Sequence, residues 1–200
     1  MANNTELIGD EAALVQLIED DFTDTNGSFE DDAVTSLRTE CFRYKDTLVR
    51  LCLPNLETFP GRAYTIAGCT ALTKFIAPKA HIKESDTYTF HNDTALQLAD
   101  YYGDNKIGGM NFSGCSSLVA VVLRRETMVG LSNVNAFNGT KYDTNGSGGA
   151  YVYVPRSLIS SYQAATNWAT LYNAHNDMFR ALEDYTVDGT TTGAFDETKL

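Results

Sequence analysis

One twelve-residue pattern recurs along this chain at a nearly fixed interval. Each copy opens with an aromatic or branched residue and carries a leucine six positions later. The opening residues are Phe42, Ile66, Phe90 and Phe112, and the leucines are Leu48, Leu72, Leu96 and Leu118. Successive openers stand 24, 24 and 22 residues apart, and a truncated fifth copy places Phe137 25 residues after the fourth opener. A fixed interval of this length predicts a chain of small units that stack on their neighbours.

Each copy is predicted to contribute one short β-strand. Two further apolar residues follow the leucine, at the spacing L-x-x-φ-x-φ, and alternation of this kind is typical of a strand. The triplets are Leu48, Leu51 and Leu53; Leu72, Phe75 and Ala77; Leu118, Val121 and Leu123; and, as the weak case, Leu96, Ala99 and Tyr101. A repeat of roughly 20 to 29 residues with one strand per unit is the range of leucine-rich repeats.

A cysteine stands three positions after the opener in two copies, as Cys69 and Cys115. The full pattern F-x-x-C-x-x-L-x-x-φ-x-φ-P resembles the BspA-type leucine-rich repeat. The resemblance runs from about Val34 to Pro155 and is most specific in the copies at 66–78 and 112–123. It implies a β-rich α+β solenoid of about four to five short repeats, with an N-terminal helix and a C-terminal strand-helix cap.

The predicted organisation has four parts. Residues 1–33 form an acidic N-terminal segment with a short amphipathic helix at 10–22, which either caps the solenoid or docks into a larger assembly. Residues 34–150 form the repeats. Residues 151–178 resemble the closing segment of BspA-type repeats, so Tyr162 and Trp168 are predicted to be core residues rather than a carbohydrate platform. Residues 179–200 form a hairpin at Asp188-Gly189 and a free tail.

Charge excludes several classes of partner. The net charge is -11, and residues 1–33 hold ten acidic residues and no Lys or Arg, so the remainder is close to neutral. Phosphate binding requires a basic face, and the pair Arg124-Arg125 is too small to supply one, so we expect no nucleic-acid partner. No apolar run reaches the length of a membrane span, and the first residues lack the pattern of a secretory signal.

The sequence also lacks the patterns of catalysis and metal binding. It contains no nucleophile elbow, zinc-protease helix or phosphate-binding loop. The two Asn-Gly segments, at 20–27 and 143–146, fail the register of a calcium loop and are predicted to be turns. Cys69 and Cys115 are predicted to be small buried residues. We therefore expect no enzyme activity, no cofactor and no metal.

The residues between the apolar strand positions should face away from the core, and they include the apolar line Cys52, Ile76 and Val122. A solvated sheet face is normally polar, so we expect a cover, either the C-terminal segment or another chain. The third copy, between Pro78 and Gly109, has diverged. It either carries function or is a tolerated surface insertion. The second interpretation is favoured because divergence alone does not indicate any particular binding or catalytic chemistry.

The resemblance implies a function in recognition. BspA-type repeats occur in surface adhesins and in short proteins of phages that infect gut bacteria. Without a secretion signal, the favoured hypothesis is a phage virion protein, such as a tail, tail-fibre or head-decoration component, whose repeats bind other virion proteins, copies of itself, or a host-surface protein or glycan. The alternative is a bacterial surface adhesin or a cytoplasmic scaffold. The candidate partner-binding residues are Cys52, Lys74, Ile76, Asp100, Tyr101, Tyr102 and Val122.

Overall fold

The structure, a computed structural model, describes residues 27–200. The predicted helix at 10–22 and nearly all of the first Asn-Gly segment lie outside the described residues.

Most of the strands form one seven-stranded sheet in which every neighbouring pair is parallel. Its strands are β1 (Ser28–Glu30), β2 (Arg50–Cys52), β3 (Lys74–Ala77), β4 (Leu98–Tyr101), β6 (Ala120–Leu123), β8 (Tyr151–Val154) and β9 (Phe179–Ala181), side by side in that order. Two short strands, β5 (Lys106–Ile107) and β7 (Gly130–Leu131), form a separate parallel pair. The strand expected after each leucine is therefore present, and the sheet extends past the predicted repeat segment at both ends, to β1 and β9.

Equivalent positions of successive copies pair across the sheet. Leu51 lies opposite Phe75, Phe75 opposite Ala99, and Ala99 opposite Val121. All four are completely buried. Because side chains alternate along a strand, this register sends one set of side chains into the core of every unit and the intervening set to the other face of the sheet.

The opening residues stack on one another behind the sheet. The rings of Phe90 and Phe112 lie 5.1 Å apart and nearly parallel, and Phe137 continues the column 5.3 Å from Phe112. Phe90 and Leu96 of the third copy are fully buried, and β4 lies in the middle of the sheet. The interpretation of the third copy as a surface insertion is therefore wrong, because this copy supplies a central strand and two core side chains.

The position three residues after the opener is filled by a small buried donor in most copies. The Cys69 thiol donates to the carbonyl of Ile66, and Cys115 donates to the carbonyl of Phe90. In the fifth copy the Thr140 hydroxyl donates to the carbonyl of Phe137. Burial raises the pKa of both thiols. The contacts of Cys69 with Ile66 and of Thr140 with Phe137 close the turn within one copy. The contacts of Cys115 with Phe90 and of Cys69 with Phe42 join neighbouring copies.

The C-terminal cap closes the last unit of the sheet. A 3₁₀ turn at Arg156–Leu158 leads into the helices α1 (Ile159–Ala164) and α2 (Trp168–Ala174). The Trp168 indole donates to the carbonyl of Val129 over 2.8 Å, and the Tyr162 hydroxyl accepts the N–H of the same residue. Trp168 and Tyr162 are fully buried, so the expectation that they are core residues is confirmed.

The tail differs from its prediction in two ways. The antiparallel contact joins Thr186 to Phe195, so the turn spans 187–194 and is much wider than a two-residue Asp-Gly hairpin. The following residues do not extend freely. They lie on the outward face of the sheet, where Phe195 packs against Tyr153 and a 3₁₀ turn at Glu197–Lys199 ends the chain.

Candidate functional site

The residues predicted to bind a partner do not form one open surface. Tyr101 faces the core and packs against Phe112. Asp100, Val122 and Cys52 lie on the outward face as expected but are buried. The half-buried group comprises Lys74, Ile76 and Tyr102, of which Lys74 pairs with Glu197 and Tyr102 packs against His81. The tail and the core thus already occupy most of the predicted contact residues.

The cover over the outward face comes from the chain itself. Leu98, Ala120, Val122 and Tyr153 form an apolar cluster with Leu182, and the rings of Tyr185 and Phe195 pack against it. Of the two covers expected from the sequence, the structure contains the C-terminal segment. The apolar outward residues are therefore explained by intramolecular packing.

A different surface carries a row of side chains of which Tyr44 is exposed and the others are half-buried. Five planar groups follow one another in space, and we call them the planar row: Tyr44, Arg43, Tyr64, Tyr88 and His91. The Arg43 guanidinium lies over two rings, 4.7 Å from the centre of Tyr44 and 4.5 Å from that of Tyr64. The rings of Tyr64 and Tyr88 stack at 4.9 Å, and His91 meets Tyr88 edge-on at 5.3 Å.

The planar row is built on two turn positions that recur in each copy. The residue two positions before the opener has positive φ in four copies, as Glu40, Tyr64, Tyr88 and Met110. Tyr64 and Tyr88 stand in this same position of neighbouring copies, and this equivalence explains why their rings stack. The positive φ is thus a property of the turn, while the choice of side chain differs from copy to copy.

The residue two positions after the opener is also left-handed in all five copies. It is glycine in three of them, at Gly68, Gly114 and Gly139, and it is Tyr44 and Asn92 in the other two. A left-handed backbone costs a residue with a Cβ roughly 1–2 kcal/mol, and a bulky aromatic residue there is unusual. Tyr44 therefore occupies, at an energetic cost, a position that glycine fills without strain.

The ring of Tyr44 lies across the neighbouring copy. A Cβ added to Gly68 would stand only 2.4 Å from the Tyr44 ring, so this glycine makes room for the tyrosine. Tyr44 nevertheless keeps 67% of its surface exposed. Its ring is held on one side by Gly68 and by the Arg43 guanidinium, while much of the ring remains available for contact.

Electrostatics fix the centre of the planar row. The Glu40 carboxylate pairs with Arg43 at 2.9 Å, and Arg43 also donates to the Tyr44 hydroxyl over 3.0 Å. Hydrogen bonds to Glu40 and Tyr44 raise the pKa of Arg43, so its positive charge is kept at all physiological pH values. At the far end, His91 Nε2 shares a hydrogen bond with Asn92, while its buried Nδ1 has no hydrogen-bond partner in the part of the chain that the structure describes.

Sequence reasoning missed the planar row, although two signals were present. Tyr44 fills a slot that Gly68 and Gly114 occupy in the copies with the cysteine, and Tyr64 and Tyr88 stand at one interval of the repeat. Both signals concern turn residues, whereas the search for a binding surface followed the strands.

A shallow pocket of about 310 Å³ lies near the start of β8, lined by residues 148–151 and 175–178. His175 Nε2 is hydrogen-bonded to the backbone carbonyl of Asp143 at 2.7 Å, and Asp177 is paired with Arg180. No group of three metal-ligand side chains occurs among residues 27–200. This pocket therefore offers neither a free nucleophile-base pair nor a metal centre.

Comparisons with protein-family models, with curated proteins and with solved structures find no match to this chain. Within residues 27–200, none of the helices has the length and apolar character needed to cross a bilayer.

Proposed function

We propose that this protein is a non-enzymatic recognition module, built as a short solenoid of the BspA-type leucine-rich repeat class, and that its planar row contacts a protein partner. The observation that carries the proposal is Tyr44, which is left-handed and 67% exposed. Strained residues that the surrounding structure holds in place are concentrated at functional sites. Contact of the exposed Tyr44 ring with a partner would offset the energetic cost of holding a tyrosine in a left-handed conformation.

The composition of the planar row favours a protein as the partner. Tyrosine and arginine are the side chains most enriched among residues that dominate binding energies at protein interfaces. Stacking and the ion pair with Glu40 already fix Arg43 between Tyr44 and Tyr64, so little side-chain entropy remains to be lost on binding. A rigid aromatic anchor of this kind gives contact area at low entropic cost.

The biological setting proposed is that expected from the sequence, a phage virion component that recognises a neighbouring subunit or the host surface. A cellular adhesin or scaffold is the alternative. Antibodies raised against the purified protein should label intact, purified particles. A chain found only in the lysate, and in no particle fraction, would contradict the virion setting and leave the recognition role to be tested by itself.

The contact surface can be tested by site-specific crosslinking. A photoreactive phenylalanine analogue replaces Tyr88, or replaces Tyr102 as the control, in the full chain expressed in its natural setting. We expect discrete protein adducts from position 88 only, and we expect Tyr44→Gly to abolish them. Adducts that resist protease but disappear after periodate would show that the planar row contacts a glycan. Equal adducts from positions 88 and 102 would refute the planar row as the contact surface.

A further inference from the structure

The last residues of the chain form a strap across the outward face of the sheet. We define the strap as residues 190–200. Its anchor points are the carbonyls of Thr191 and Gly193, the ring of Phe195 and the carboxylate of Glu197. These groups meet three features of the face, namely Arg124, Tyr153 and Lys74, and are spread over seven residues of the strap. The face therefore recognises this particular segment by several contacts at once.

Arg124 receives the main chain of the strap. Its guanidinium makes a two-pronged ion pair with Asp100, at 2.6 and 2.7 Å, and its remaining nitrogen donates to the carbonyls of Thr191 and Gly193, each over 2.8 Å. Asp100 is buried and therefore fixes the direction of the guanidinium. The face thus presents a positioned main-chain donor whether or not the strap is bound.

Two side-chain contacts complete the recognition. Phe195 packs edge-on against Tyr153 at 4.9 Å and lies nearly parallel to Tyr185. Glu197 forms an ion pair with Lys74, and both of these side chains are about one-third exposed. The aromatic contact supplies apolar burial, while the ion pair selects the sign of the charge at that position of the strap.

The connection between the strap and the rest of the chain is a surface turn. Val187 is 74% exposed, Gly189 has positive φ, and Asp188 bonds only within the turn, to Thr190. Exposed segments with few buried apolar contacts open at low free energy. Opening this turn would lose the local bonds of Asp188 and the hydrogen bond from the Val187 N–H to the Ala194 carbonyl. The contacts of the strap with Arg124, Tyr153 and Lys74 could be made again by an identical strap.

We propose that the strap is exchangeable, and that the outward face docks the strap of a second copy of this chain. Two copies can each seat residues 190–200 on the other, through a symmetric pair of the contacts described above. A second copy is the favoured occupant because the groups on the face match residues 190–200. Arg124 matches the spacing of two main-chain carbonyls, Tyr153 the position of the Phe195 ring, and Lys74 the charge of Glu197. This interface uses the outward face and is independent of the planar row.

A charge-reversal pair tests the exchange in the full chain. Lys74→Glu places two acidic groups opposite each other in a closed monomer, and Glu197→Lys places two basic groups there. In a mixture of the two variants, exchange restores one favourable pair on each face. Native mass spectrometry at low ionic strength should therefore show a one-to-one heterodimer in the mixture, at least ten-fold more abundant than the homodimer of either variant alone.

The control is the double variant K74E/E197K, which closes its own strap with the ion pair reversed and should remain as monomeric as a closed wild-type chain at the same concentration. Far-ultraviolet circular dichroism of each variant confirms that the sheet is retained. A mixture that stays monomeric refutes the exchange. Homodimers as abundant as the heterodimer also refute it, because association would then not depend on the strap.

Discussion

The planar row and the outward face are both made of equivalent positions in successive copies, yet they have opposite characters. The row stands on left-handed turns, with Tyr44 exposed and its other members half-buried at the surface. The outward face stands on strands, carries apolar side chains and a buried ion pair, and is covered by the strap. Periodic geometry thus creates columns of neighbouring side chains, while their position on strand or turn decides whether a column is open or covered.

The largest expected difference between the two surfaces concerns their arginines. Replacing Arg124 by Met leaves the buried Asp100 carboxylate without its partner, and breaking a buried pair in this way costs about 3–5 kcal/mol. Replacing Arg43 by Met removes surface stacking and a surface ion pair, and should destabilise the chain far less. Urea unfolding of both variants measures the contrast.

A paired variant sharpens this result. R124M/D100L removes both charges and should recover a large part of the lost stability, because no unpaired charge is then buried. Equal losses for Arg43→Met and Arg124→Met would show that the two surfaces do not differ in the way proposed.

Asp93 lies in the turn next to the planar row, and its buried carboxyl group should make the stability of the chain depend on pH. It fills the slot of the cysteines, and its Oδ1 accepts the N–H of Cys69 at 2.7 Å. Its Oδ2 is buried and has no hydrogen-bond partner among the described residues. Burial raises the pKa of Asp93 well above its usual value, so the folded chain binds the proton more tightly than the unfolded chain. Its contribution to stability is full below the ordinary carboxyl pKa of about 4 and is lost as the pH rises through the folded pKa.

Asp93→Asn and Asp93→Cys should therefore make stability less dependent on pH above about 4. Asp93→Asn keeps an oxygen to accept the Cys69 N–H and should also raise the free energy of unfolding at neutral pH. The measurement is urea unfolding at several pH values. The Asp93→Cys variant places at position 93 the thiol that Cys69 and Cys115 carry in their copies, and it controls for an effect specific to the amide. Parallel pH profiles for wild type and both variants would contradict a raised pKa of Asp93.

Tyr44→Gly separates stability from binding. Relief of the left-handed tyrosine is worth roughly 1–2 kcal/mol, and the lost surface contact with Arg43 offsets part of this gain. The variant should therefore be as stable as wild type or more stable by up to about 1 kcal/mol, while losing partner adducts. Thermal unfolding measures this. Gly68→Ala should destabilise wild type more than it destabilises the Tyr44→Gly chain, because the added Cβ meets the tyrosine ring.

The smallest effect concerns the uncovered margin of the outward face. Cys52 lies there and is less enclosed than Cys69 and Cys115, which are completely buried. Burial raises the pKa of all three thiols. In the native chain a maleimide should modify Cys52 slowly, but before Cys69 and Cys115, as followed by mass spectrometry. Rates that are equal at the three positions would indicate global unfolding rather than local access.

The strand positions could be predicted from the sequence because the apolar pattern repeats within each copy and any shift would bury polar residues. The same pattern places Tyr101 on the core side, as the structure does, so its assignment to a binding surface in the diverged third copy is wrong. β1 was not predicted because Ser28–Glu30 lies among acidic residues, and only Phe29 is apolar. Pairing with β2, including the contact of Arg50 with Glu30, supplies what the local sequence lacks.

The candidate site was harder to predict than the fold. Strand periodicity reports burial, whereas the planar row depends on which turn residues lie across the next copy, and this requires the spacing between copies. The strap was expected as one of two covers, but its contacts join residues far apart in sequence, such as Arg124 and Thr191. No local pattern specifies pairs of this kind.

The glycine slot also limits how a chain of this kind can change its length. Tyr44 lies across Gly68, and Asn92 lies across Gly114, where an added Cβ would be 2.2 Å from the Asn92 side chain. Removing the single copy that contains Gly68 would place Tyr44 directly against Asn92, so two side chains would compete for one space. Removing two adjacent copies, those containing Gly68 and Asn92, would bring Tyr44 onto Gly114 and keep the fit. In this part of the molecule, loss of the Gly68 copy should therefore be tolerated only together with loss of the copy that contains Asn92.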